Sequence, residues 1–98
     1  MKYRMEVSPN VHLEVAQIYL YREKHQGKGS GNRFLKALSD CYKDILSNPY
    51  GYQVRKDPYR HAMLQRLKYR VVFEVEADSV YVYQVRHTSR RPSTKFGP

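Results

Sequence analysis

The sequence predicts an α+β domain in which an antiparallel helical hairpin packs on one face of a four-stranded, mainly antiparallel sheet that begins with an N-terminal strand. Three patterns predict it. Apolar residues alternate at the start and again from Tyr59 onward, they recur every three to four residues in between, and a glycine-rich break divides that helical stretch in two. With 98 residues there is room for one core, so 1–98 is read as a single domain.

The first strand is "KYRMEVS", with Tyr3, Met5 and Val7 on one side and Lys2, Arg4 and Glu6 on the other. It stops at Ser8-Pro9, where Ser8 suits an N-cap that accepts from a free N–H and Pro9 suits the first helical position. The first helix runs to about Lys24. Its stripe is Val11, Val15, Ile18 and Tyr19, widened by Ala16 and Leu20. "HQGKGSGN" ends it, because three glycines within five residues are costly to hold in any regular element.

A second helix begins near Ser30 and carries Phe34, Leu35, Leu38, Cys41, Tyr42, Ile45 and Leu46 at helical spacing. Pro49 pushes Asn48 out of helical geometry. "VRKDP" is then read as a loop, and "YRHAMLQ", "YRVVFEVE" and "VYVYQVRH" as strands joined by turns at "RLK" and "EADS". The hairpin can cover only one face of such a sheet, which leaves the other open.

Charge is concentrated beside that open face. The chain has 18 Lys and Arg against 9 Asp and Glu, a formal charge of +9. Between Arg55 and Arg70 stand Arg55, Lys56, Arg60, Arg66, Lys68 and Arg70 against Asp57 alone, and "VRHTSRRPSTKFGP" adds Arg86, Arg90, Arg91 and Lys95 with no acid. A dock for nucleic acid or an acidic protein is expected there, with 89–98 as a basic flexible tail. Lacking an apolar run suited to export or to spanning a bilayer, the chain is expected to be cytoplasmic and to have no membrane partner. Cys41 lies on the apolar stripe and reads as a buried small hydrophobe, while His12, His25, His61 and His87 include no pair at metal-ligand spacing. Neither a metal nor a cofactor is expected.

"GKGSGNRFLKAL", "ILSNPYGY" and "YRHAMLQRLKYRVVFEVEADSVYVYQVRHTSRRP" together resemble the RelE/ParE superfamily of bacterial type II toxins over nearly the whole chain. The matching features are Gly29 or Gly31, Phe34 to Leu38, Asn48-Pro49, Arg60 ahead of Tyr69 to Phe73, and His87 with Arg90-Arg91-Pro92. The resemblance implies a growth inhibitor held in check by a cognate acidic antitoxin. ParE-like members block DNA gyrase and cut nothing, whereas RelE-like members cut messenger RNA on the ribosome. The Arg-Arg-Pro ending looks ParE-like, although Thr88 and Ser89 put one residue more than usual before the arginine pair, and Phe96 stands where tryptophan is common. A nucleic-acid-binding domain without toxicity is a further alternative.

Were the chain RelE-like, His87 would serve as general base or acid and Arg60, Arg86 or Arg90 would hold developing phosphate charge. A tyrosine often assists near the C-terminus of RNA-cutting relatives, and nothing after Tyr83 fills that role. Each residue also has a structural reading: His87 as a strand-end hydrogen-bonding group, and Arg60 as the cross-strand partner of Glu74 or Glu76. Tyr81 and Tyr83 share a strand face that would suit base stacking, but tyrosine is common in sheets on β-propensity alone. For target or nucleic-acid binding the candidates are Arg55, Lys56, Arg70, Arg86, Arg90, Arg91 and Lys95.

Overall fold

The structure is a computed structural model and describes residues 3–64, 66–90 and 95–96. The elements run β1 (Arg4–Val7), α1 (Pro9–His25), α2 (Ser30–Ser47), a short 3-10 turn (Pro49–Gly51), β2 (Val54–Lys56), β3 (Tyr59–Met63), β4 (Tyr69–Glu76) and β5 (Ser79–His87). The class is the α+β arrangement expected. Among the described residues the sheet has five strands rather than four, in the order β1-β5-β4-β3-β2, all antiparallel except the β1–β5 pair.

The extra strand is β2, which the sequence presented as loop. Its three residues are exposed, so it has no buried alternation to betray it. Pairing with β3 defines it, through Val54 opposite Arg60 and Lys56 opposite Tyr59 with a register shift between.

Register sorts the sheet into two faces. Ala62, Val71 and Val85 form one row beneath the helices, and Phe73, Val82 and Val7 form another. Phe34, Leu38, Cys41 and Ile45 of α2 and Val11 of α1 close this core from above. Cys41 is buried, and burial together with the nearby Asp44 carboxylate pushes its thiol up to about 11, so it is an inert core group.

Between Val72 and Phe73 the β4–β5 register shifts. A bulge of this kind exchanges the faces beyond it, and here it turns Val85 and His87 toward the helical side while Gln84 and Arg86 join the row positions of Val72 and Arg70.

Ser8 precedes α1 with Pro9 in the first turn, but its hydroxyl makes no cap to the helix backbone. It donates instead to the side-chain oxygen of Asn10. In α1 only the inner part of the expected stripe is sheltered: Val11 is buried and Val15 and Ile18 pack on the core, whereas Ala16 is exposed and Leu20 is 65% exposed. Leu13 and Leu35 are exposed as well, and with Leu20 they leave the helical hairpin with an apolar outer surface.

The hairpin turn is held by residues the hydropathy pattern does not mark. Buried Arg22 donates from Nε to the Ser30 carbonyl at 2.9 Å, and the Ser30 hydroxyl donates back to the Arg22 carbonyl at 2.6 Å. Glu23 accepts from the N–H groups of Gly29 (2.9 Å) and Gly31 (2.8 Å), satisfying free donors at the start of α2. Gly31 is required for close approach, because a Cβ there would lie 2.5 Å from the Tyr19 ring.

Candidate functional site

The face away from the helices carries rows of its own. Met63, Arg70 and Arg86 form one, His61, Val72 and Gln84 the next, and Tyr59, Glu74, Tyr81 and Glu6 a third. The face is therefore bipolar, cationic toward the end of β5 and acidic toward its start. Arg70 and Arg86 stand directly opposite each other, an unfavourable cross-strand pairing of like charges.

Nor is this face fully open. Phe96 is buried on it, edge-on to Tyr59 at 4.8 Å and stacked against Tyr83 at 5.9 Å between ring centroids. Phe96 falls inside the segment expected to be a flexible tail, and its ring is an anchor on the sheet. Tyr83 in turn donates its hydroxyl to Glu74 at 2.8 Å, and burial with that carboxylate raises its pKa.

From sequence, His61 is marked only by lacking a partner at metal-ligand spacing. The structure buries it, with Nε2 2.9 Å from the Phe96 carbonyl. A carbonyl only accepts, so Nε2 carries the hydrogen. Nδ1 is buried with no hydrogen-bond partner. Burial lowers the His61 pKa, the Phe96 carbonyl opposes that shift, and the charges of Arg70 and Arg55 add to the lowering.

Arg60 lies apart from these groups. It shares its row with Phe73 on the helical side. Its guanidinium donates to the Tyr52 carbonyl at 2.6 Å and lies 5.1 Å from the Tyr50 ring centroid. Neither Glu74 nor Glu76 is its partner, because both belong to the opposite face by register. Arg60 thus ties the 3-10 turn to β3.

His87 ends β5 on the row of Tyr69, whose ring meets it edge-on at 5.1 Å. Its Nδ1 accepts from the Ser89 N–H at 3.0 Å and lies 2.7 Å from the Ser89 hydroxyl. That leaves the proton of the neutral ring on Nε2. Arg60 and His87 are separated by about four residues along β4, roughly 13 Å at the rise of a strand. They do not converge on one phosphate.

What does converge is a cleft of about 650 Å³ between α1 and the end of β5, which brings Arg86, His87 and Arg90 together with Glu14, Tyr21 and Tyr69. Strand β1 pairs β5 only through Val82, so the edge of β5 beyond that point is covered by α1 side chains. Asn10 donates to the Tyr83 carbonyl at 3.1 Å, and Glu14 accepts from the Val85 N–H at 3.0 Å. Sequence reasoning missed both helix residues, whose spacing of four was the available signal.

Of the remaining candidates, Arg55 and Lys56 are exposed on edge strand β2, and Lys95 lies 5.5 Å over the Phe96 ring. Arg91 lies outside the described residues. Among the described residues no ion pair holds Arg55, Arg70 or Arg90; the pairs present are Lys36–Asp40 at 3.4 Å and a loose Arg86–Glu14 contact at 3.8 Å.

A helical hairpin on one side of such a sheet is a fold this chain shares with solved RelE/ParE toxin structures. The chain is similar to the chromosomal ParDE toxin-antitoxin system from P. aeruginosa, with a TM-score of 0.76 at 11% identity over 88% of this chain and 96% of the other. It is also similar to an arginine double mutant of the E. coli toxin RelE in the free state, with a TM-score of 0.60 at 18% identity over 89% and 84% of the two chains. The family model "ParE toxin of type II toxin-antitoxin system, parDE" matches residues 6–92, and the chain belongs to that family. No curated protein matches the sequence.

Proposed function

We propose that this toxin arrests growth by blocking DNA gyrase, acting through binding rather than chemistry, and that a cognate antitoxin neutralises it in the cytoplasm. The observation that carries the binding reading is the separation of Arg60 from His87. One is committed to the Tyr52 carbonyl and the other to Ser89, on different parts of the sheet. A metal-independent ribonuclease needs a base and a phosphate-holding cation within reach of the same phosphodiester. Arg86 and Arg90 do line the cleft with His87, but Glu14 stands in that cleft 3.8 Å from Arg86, and its carboxylate disfavours a phosphate there.

The family match supports the antitoxin partner, and the surface offers it two kinds of contact. An apolar groove lined by Val15, Ala16, Leu20 and Leu35 runs over the helical hairpin, suited to the apolar side of a segment that folds on binding. The cationic end of the sheet suits the acidic part of the same partner.

The test is a supercoiling assay with purified protein and relaxed plasmid. Gyrase should stall in proportion to added toxin and recover when antitoxin is supplied. Indifference of gyrase, combined with messenger RNAs cut within codons during expression, would favour the RelE-like reading instead.

A further inference from the structure

The edge of β5 repeats a donor pattern that α1 fills only once. Thr88 donates to the Lys68 carbonyl on the β4 side at 2.8 Å. Backbone groups alternate sides along a strand, so the His87 N–H one residue earlier turns the other way, toward the cleft, as the Val85 N–H does. At Val85 a carboxylate completes the site: one Glu14 oxygen takes the N–H, and the other lies 3.8 Å from Arg86 Nε. At His87 the same combination recurs, an outward N–H with the Arg90 guanidinium beside the cleft, and α1 offers Gln17 and Tyr21 there instead of an acid.

We propose that the cleft between α1 and the end of β5 is a carboxylate receptor, in which an Asp or Glu side chain of an acidic peptide takes the His87 N–H and pairs with Arg90. Glu14 is the built-in precedent for that contact and a local competitor for Arg86. Among the described residues Arg90 has no carboxylate partner, so an incoming acid need not displace one. The cleft is larger than a single carboxylate needs, which leaves room for the peptide carrying it along Tyr21 and Tyr69. A carboxylate held by a backbone N–H and a guanidinium makes charge-assisted bonds, stronger than neutral ones. Assigning the peptide to the antitoxin rests on the neutralisation proposed above; the receptor itself does not.

The experiment titrates the full ¹⁵N-labelled chain with acetyl-hexaglutamate amide and, separately, with a deoxyoligonucleotide bearing six phosphates. Saturable shifts at the His87 amide and Arg90 Nε–H are expected with hexaglutamate, with affinity weakened about tenfold, or about 1.4 kcal/mol, by Arg90→Gln. Glu14→Gln, which keeps an acceptor for the Val85 N–H but removes the competing charge, should tighten binding. Shifts confined to Arg55, Lys56 and Arg70, equal affinity in Arg90→Gln, or stronger binding of the oligonucleotide at the cleft would each overturn the receptor. Its failure can be told apart from that of the neutralisation reading. Hexaglutamate seated at Arg90 with no antitoxin able to rescue gyrase would retain the receptor, whereas full rescue of Arg90→Gln at unchanged antitoxin dose would remove the receptor's assigned partner.

Discussion

His61 Nε2 bonds the Phe96 carbonyl at 2.9 Å, joining residues 35 positions apart and fastening Phe96 to the outer face of the sheet. The other ring nitrogen is buried and unpartnered, so a proton placed there would be an uncompensated charge near Arg70 and Arg55.

Stability should therefore fall on mild acidification. The folded His61 has a pKa below its ordinary 6.5, so the unfolded chain takes the proton first. The contribution is complete above about 6.5 and is lost as pH drops from there toward the folded value. Denaturant midpoints measured across this window should decline in the parent and flatten in His61→Gln. An identical slope in both would show that His61 does not carry the effect.

Phe96→Ala should release the tail while leaving the main core intact. The expected loss is below the roughly 3–5 kcal/mol of a core phenylalanine, because the segment can detach without opening the helices. Ring resonances of Tyr59 and Tyr83 should move, since both pack on Phe96, while those of Phe34 stay in place. Shifts spread through the helical core would count against a local anchor.

Arg60→Ala should loosen the 3-10 turn. Its bond to the Tyr52 carbonyl is worth on the order of 1.5–3 kcal/mol as a charged hydrogen bond, and the Tyr50 ring loses its cation. Hydrogen exchange at residues 50–52 should rise together with the drop in melting temperature. Unchanged protection there, combined with lost toxicity, would move Arg60 into target contact.

Gly31→Ala should cost about 1–3 kcal/mol, because its Cβ would overlap the Tyr19 ring. Thermal unfolding measures it directly. A Gly31→Ala,Tyr19→Ala double variant should recover part of the loss relative to the sum of the two single changes, and strict additivity would argue against the clash.

The helices and the three long strands were legible because each carries a buried period, as in Phe34, Leu38, Cys41 and Ile45 on α2. Strand β2 was not, since pairing alone defines it and none of its residues is buried. The fate of α1's outer leucines was also hidden, because period reveals a stripe but not which edge of it meets the sheet. At the functional site, sequence located the cations but not their faces. Arg60 belongs with the helical side by register, and the bulge near Val72 decides where His87 points. The Glu14–Val85 and His61–Phe96 contacts span 71 and 35 residues, and no local pattern announces such polar pairs.

We propose a toxin that binds its target and performs no chemistry on it. The most direct measurement is gyrase supercoiling inhibited by the parent protein and by His87→Ala in parallel, at matched folded concentration. Inhibition by both is expected, with ribosome-bound messenger RNA left whole. Gyrase untouched by either protein, with messenger RNA cut by the parent and spared by His87→Ala, would contradict it.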